Sequence, residues 1–167
     1  MNVLIIDAQG GGLGKELVSS IREKYKDLDI TCVGTNSHAT SAMLKAGASR
    51  AATGENAIIV NSQKADIIIG PIGILLTNSM CGEITSKMAE AVSISRAKRI
   101  LIPFLHDDNV IVGVSDYSMK KLINLALEEL DKIIEAWTRN LQVVGFATEG
   151  ALIEVLALTF FTYTMKV

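Results

Sequence analysis

Short apolar runs rich in β-branched residues alternate along the chain with stretches of helical period. The runs are Asn2–Ile6, Ile30–Gly34, Asp66–Gly70 and Arg99–Phe104, with a weaker one at Arg50–Thr53. The four main runs are almost continuous in apolar residues, a pattern that belongs to strands covered on both faces by helices. Helices are predicted between and after them, over Lys15–Tyr25, about His38–Lys45, Glu55–Lys64, Thr85–Ala97 and Tyr117–Trp137. Punctuation agrees with these limits. Ser37 is read as the cap of the second helix, Gly47 follows its end, Thr53 and Asn56 open the third, and Asp116 precedes the last. In that last helix Leu122, Ile123, Leu125, Ala126, Leu130, Ile133 and Ile134 form one apolar stripe at three- and four-residue spacing.

Two segments depart from the alternation. Asp107 and Asp108 favour a turn, so Val110–Val114 is expected to return as an antiparallel edge strand beside Arg99–Phe104. Beyond residue 137 the chain turns apolar, and after Arg139 its charges are Glu149, Glu154 and Lys166. A hairpin, with NLQVVGF and VLALTFFTYTMKV joined by ATEG, and a helix from Ala151 are both open, either one packing on the core or on another subunit. A membrane span is disfavoured, because Glu149 and Glu154 fall inside the apolar stretch. The pattern as a whole gives a three-layer Rossmann-like α/β domain over residues 1–137. Its sheet is mostly parallel with helices on both faces, and 138–167 form an extension.

A chain of 167 residues suits one such core. Sixteen basic against eighteen acidic residues give a charge of −2, with no block of like charge, which argues against a nucleic-acid partner. The first residues, MNVLII, carry no basic region and their apolar run stops at Asp7, so neither a signal peptide nor an anchor is read and a cytoplasmic location is expected. Cys32 and Cys81 lack a CxxC spacing, and His38 and His106 are isolated, so neither a disulfide framework nor a metal site is expected.

The first strand runs directly into Gln9-Gly10-Gly11-Gly12-Leu13-Gly14-Lys15, four glycines in five positions followed by a lysine. In an open α/β sheet this turn is the favoured phosphate position: N–H groups at the helix start point outward, and glycines let an anion approach the backbone. Named motifs fit in part. For GxGxxG, Gly11 and Gly14 fill the second and third places but Gln9 occupies the first; for GxxxxGK[ST], Gln9 again replaces glycine and Glu16 stands where Mg²⁺ needs a hydroxyl. A dinucleotide such as NAD(P), or another nucleotide, therefore leads ATP hydrolysis. The second strand ends Gly34-Thr35-Asn36-Ser37, without the acid that holds the ribose of NAD. Asp7 either faces the ligand or accepts loop N–H groups to hold the turn.

Gly54-Glu55-Asn56 and Gly70-Pro71 follow strands, so they fall on the same rim and join the candidate ligand residues, though capping and turn chemistry also explain them. Thr77–Glu83 is polar and longer than most connections, as a lid or specificity loop is. Cys81 and the pair His106–Asp107 invite nucleophile and acid–base readings, but no sequence feature supplies their partners.

The stretches IDAQGGGLGK, GTNSHATSAMLKAGA, ATGENAIIVN, DIIIGPIGI, SRAKRILIP and NVIVGV resemble an uncharacterised bacterial family. It is a domain of unknown function with a nucleotide-binding-like α/β fold, and the resemblance spans residues 1 to about 134. It implies fold and site location and leaves activity open. The expected function is binding of a small phosphate-bearing molecule, a nucleotide or dinucleotide, at the glycine loop, with a homo-oligomer as an option. The alternatives are a non-enzymatic metabolite sensor or interaction module, and a membrane-associated accessory protein held by its tail.

Overall fold

The structure is a computed structural model that describes residues 1–103, 111–114 and 118–150, with 140–150 as backbone alone. The predicted runs form five strands: β1 (Asn2–Asp7), β2 (Asp29–Gly34), β3 (Arg50–Thr53), β4 (Ile67–Pro71) and β5 (Lys98–Ile102). They make one sheet in the order β3-β2-β1-β4-β5, every pairing parallel. Parallel strands need crossovers, and helices supply them: α1 (Gly12–Lys24), α2 (Ser37–Lys45), α3 (Glu55–Ser62) and α5 (Ser86–Ile94). A 3-10 turn (Ile72–Leu75) and the single turn α4 (Ser79–Gly82) lie between β4 and α5. After β5 comes the long helix α6 (Met119–Gly150).

Burial follows from the continuous apolar runs. Successive side chains of a strand point to opposite faces, so Val3 and Ile5 serve one face while Leu4 and Ile6 serve the other, all with no exposed surface. On the second face Leu4, Ile6, Val33 and Ile68 join Ile58 of α3 and Met88 and Val92 of α5 in one apolar cluster. Across the sheet, α1 and α2 pack together. Leu13, Leu17, Val18 and Ile21 are the buried face of α1, and Met43 is buried on α2. Each fully buried Leu or Ile contributes about 1.5–3 kcal/mol of transfer free energy, so the two faces together hold the sheet in place.

Three local expectations are corrected. Asn36, not Ser37, caps α2: its backbone is extended and its Oδ1 accepts the Ala39 N–H at 2.9 Å, which leaves Ser37 as the first helical residue. The third helix opens on Gly54 with no side-chain cap, in place of Thr53 and Asn56. The antiparallel edge is absent among the described residues. Ile111–Val114 is a tight turn in which Val114 N–H donates to the Ile111 carbonyl at 3.2 Å, and Gly113 has a positive φ of 85°, a conformation foreign to a strand. Gly47 does end α2 as expected. Its φ is 109°, and the Gly47 and Ala48 N–H groups return to the carbonyls of Leu44 and Met43.

The chain divides into two compact units after Leu127, within α6. In the first unit Leu122, Ile123 and Ala126 are buried. The helix continues past Trp137 and takes in residues 140–150, so NLQVVGF and ATEG are helical where the hairpin reading expected a strand and its turn; the remainder of the tail, 151–167, lies outside the described residues. No helix among the described residues is long and apolar enough to cross a membrane.

Candidate functional site

The carboxyl ends of the strands form one rim. Asp7 is in register with Gly34, and Gly34 with Thr53. The ladder runs one residue further, with Thr35 N–H on the Asp7 carbonyl at 3.0 Å and Gly54 N–H on the Gly34 carbonyl at 2.9 Å. The order β3-β2-β1-β4-β5 puts β2 on one side of β1 and β4 on the other, so the chain's crossovers diverge at β1. A crevice opens outside such a switch point, and ligands of open α/β sheets lie there.

The loop leaving β1 is held from within. Gly11 stands at the N-cap of α1 with φ 68°, and glycine has no side chain to cap with. Asp7 does that work from the strand: its Oδ2 accepts the Gly14 N–H at 2.6 Å and its Oδ1 the Ala8 N–H at 2.9 Å. Burial pushes the Asp7 carboxyl up; those two N–H groups pull it back, the Glu83 charge adds to the rise, and it stays above its ordinary 3.8. The glycines divide by task. A Cβ on Gly11 would lie 2.6 Å from Ala39 Cα, and one on Gly14 would lie 2.5 Å from Met43 Sδ and 2.8 Å from Asp7 Cβ. Packing explains both. At Gly10 and Gly12 a Cβ would meet nothing within 4 Å among the described residues.

Those two glycines border a cavity of about 150 Å³ lined by Asp7 through Leu13 together with Pro71, Met80 and Met119. Its walls thus come from the ends of β1 and β4, on the two sides of the switch-point crevice. Gly70, just before Pro71, has a structural reason: a Cβ there would lie 2.5 Å from the Ile6 carbonyl oxygen of the neighbouring strand.

Beside the cavity, over the end of β2, sits a residue absent from the sequence-based candidates. Glu83 Oε2 accepts from the Gln9 backbone N–H at 2.9 Å, from Asn36 Nδ2 at 3.0 Å and from the Thr35 hydroxyl. Asn36 Nδ2 also donates to the Gln9 carbonyl at 3.0 Å, so the first and second rim loops are tied together. Burial pushes the Glu83 carboxyl up, but the donors Thr35, Gln9 and Asn36 outweigh it and hold it below its ordinary 4.5. The segment that brings Glu83 across the rim is contorted: Asn78, Met80 and Cys81 all have positive φ without being glycine.

The remaining candidates fall elsewhere. Lys15 is exposed, 4.0 Å from the Glu16 carboxylate. Glu55 accepts from the Thr85 hydroxyl at 2.6 Å and lies 3.7 Å from Lys87 Nζ, so it fastens α3 to the cap of α5. Gly54 and Asn56 do not line the cavity. Cys81 is exposed and receives Gln9 Nε2 at 3.7 Å; Cys32 is buried, and burial pushes its thiol up to about 12. His106 and Asp107 lie outside the described residues. The sequence offered one signal for Glu83, Met80 and the reach across the rim: a polar connection, Thr77–Glu83, too long for a simple turn.

No curated protein matches the chain. Among solved structures, the dodecameric FMN-dependent Ubix-like decarboxylase from Escherichia coli O157:H7 is 17% identical, with a TM-score of 0.42 over 78% of this chain and 76% of that one. Residues 2–135, which hold the whole sheet and every candidate residue named above, match the domain of unknown function DUF3842, and the chain belongs to that family.

Proposed function

We propose that this protein binds a phosphate-bearing small molecule, a nucleotide or dinucleotide, in the crevice between the ends of β1 and β4. One observation carries the reading: Gly10 and Gly12, the two loop glycines that packing does not require, face open space beside a cavity at the switch point. A cavity of about 150 Å³ is small beside whole-ligand pockets of roughly 300–1,000 Å³. It suits a phosphate group, with the rest of the ligand lying along the open rim. The phosphate is received by N–H groups at the start of α1, where the helix dipole favours an anion. Asp7 belongs to the loop's internal scaffold in this reading, since both its oxygens are occupied.

The test is thermal unfolding of the full chain with NAD, NADP, ADP and FMN in turn. A ligand at a hundredfold over its Kd adds about 2.7 kcal/mol, a rise of roughly 5–10 °C for a protein of this size. Gly12→Val fills the open space and is expected to abolish the rise while unfolding at the wild-type temperature. A transition that none of the four moves would end the proposal, and a rise that survives in Gly12→Val would locate the site elsewhere.

A further inference from the structure

β2 ends without the carboxylate that reads a ribose in dinucleotide-binding sheets, yet a carboxylate stands at that place. Glu83 arrives from the far side of the rim, 48 positions from Thr35 and 47 from Asn36, the two residues that end β2's turn. Its Oε2 takes three donors, and all three are uncharged: a main-chain N–H, a hydroxyl and an amide. The second oxygen, Oε1, makes no hydrogen bond among the described residues. Gln9, one of the three donors, is also a wall of the cavity, so this carboxylate is tied to the proposed site through Gln9 while standing outside the cavity lining, at the end of β2.

We infer that Glu83 supplies from the β4–α5 connection the acid that β2 lacks, and that it selects a ligand with free ribose hydroxyls over one phosphorylated there. This rests on the reading of the site given above. The chemistry is that of a fixed anion with one oxygen to spare. Three donors hold Oε2 in one geometry, so the side chain is already ordered when a ligand arrives. Oε1 then accepts from a sugar hydroxyl, and the unneutralised charge repels a phosphate at the same place. Neutral donors matter here: an arginine or lysine among them would cancel the charge that does the rejecting. The contorted backbone at Asn78, Met80 and Cys81 is what lets a residue after β4 reach the end of β2.

The experiment is titration calorimetry of wild type and Glu83→Gln with NAD against NADP and ADP against 2′-deoxy-ADP, with a melting curve for each protein. Glutamine keeps the shape and loses the charge. Wild type is expected to prefer NAD over NADP, and ADP over its deoxy form, by at least about tenfold, the worth of one hydrogen bond to a charged group. In Glu83→Gln both ratios fall below about threefold, and Glu83→Asp restores part of them. Equal binding of both members of each pair by wild type, or ratios unchanged in a cooperatively folded Glu83→Gln, would overturn this inference and leave the site standing. If wild type binds none of these four, this inference falls; the site reading falls with it only if FMN also leaves the melting transition unmoved.

Discussion

Asp7 and Glu83 are carboxylates of one rim, and their surroundings pull them in opposite directions. Asp7 is 5% exposed and loses more to burial than its two N–H donors return, so the folded protein holds its proton more tightly than the unfolded chain does. The stability this gives is complete below the ordinary value of 3.8 and is lost as pH rises through the raised one. Glu83 is the reverse: three donors favour its ionised form, so its contribution is present above 4.5 and is lost as pH falls through the lowered value. Replacing Asp7 by Ala strands two buried N–H groups and is expected to cost about 2 kcal/mol in urea unfolding. That cost should be larger on the acid side of the carboxylate range and shrink as pH rises. The loss caused by Glu83→Gln should move the other way, vanishing in acid. Costs that follow the same slope for both variants would contradict the assignment.

The glycine loop turns from a motif into two mechanisms once α1 and α2 are in place. Gly14→Ala drives a methyl into Met43 and Asp7 and is expected to cost about 1–3 kcal/mol, as overpacking does. Gly12→Ala meets nothing and should be neutral or gain up to about 1 kcal/mol from the stiffer unfolded chain. Calorimetric melting of the two variants separates them, and equal melting temperatures would refute the division. Much of this level was legible in the sequence. Continuous apolar runs marked four of the strands and a weaker stretch the fifth, and periodicity marked the four crossover helices to within a few residues, because local pattern and burial agree there; the last helix runs on to Gly150, past its expected end at Trp137. What escaped depended on choices between neighbours or on distant pairs. Asn36 and Ser37 are both good caps, and only backbone geometry decides between them. Val110–Val114 has strand composition, but Gly113 turns the described part of it. Glu83 is one acid among many until the chain brings it to Gln9, Thr35 and Asn36.

Across the molecule the parallel sheet and its covering helices were readable, since βαβ alternation permits few other architectures. The strand order follows from that alternation only in outline; which edge β4 joins is settled by packing far along the chain. The order sets a gradient of protection. β1 is flanked on both sides and its Val3 to Ile6 are wholly buried, whereas β3 lies at an edge with no fully buried residue. Amide exchange should therefore be slowest in Asn2–Asp7 and fastest, among the strands, in Arg50–Thr53; comparable rates would mean that the sheet opens as one body. The same order has a consequence for biosynthesis. The central strand is the first made, yet its second edge waits for residues 67–71, with Val3 pairing to Ile67. A nascent chain that has reached α3 carries NVLIID with one side unpaired, an apolar strand edge open to other chains. The middle of the sheet thus cannot close until β4 has been made, and the interval between β2 and β4 is when the chain is most exposed to misassembly.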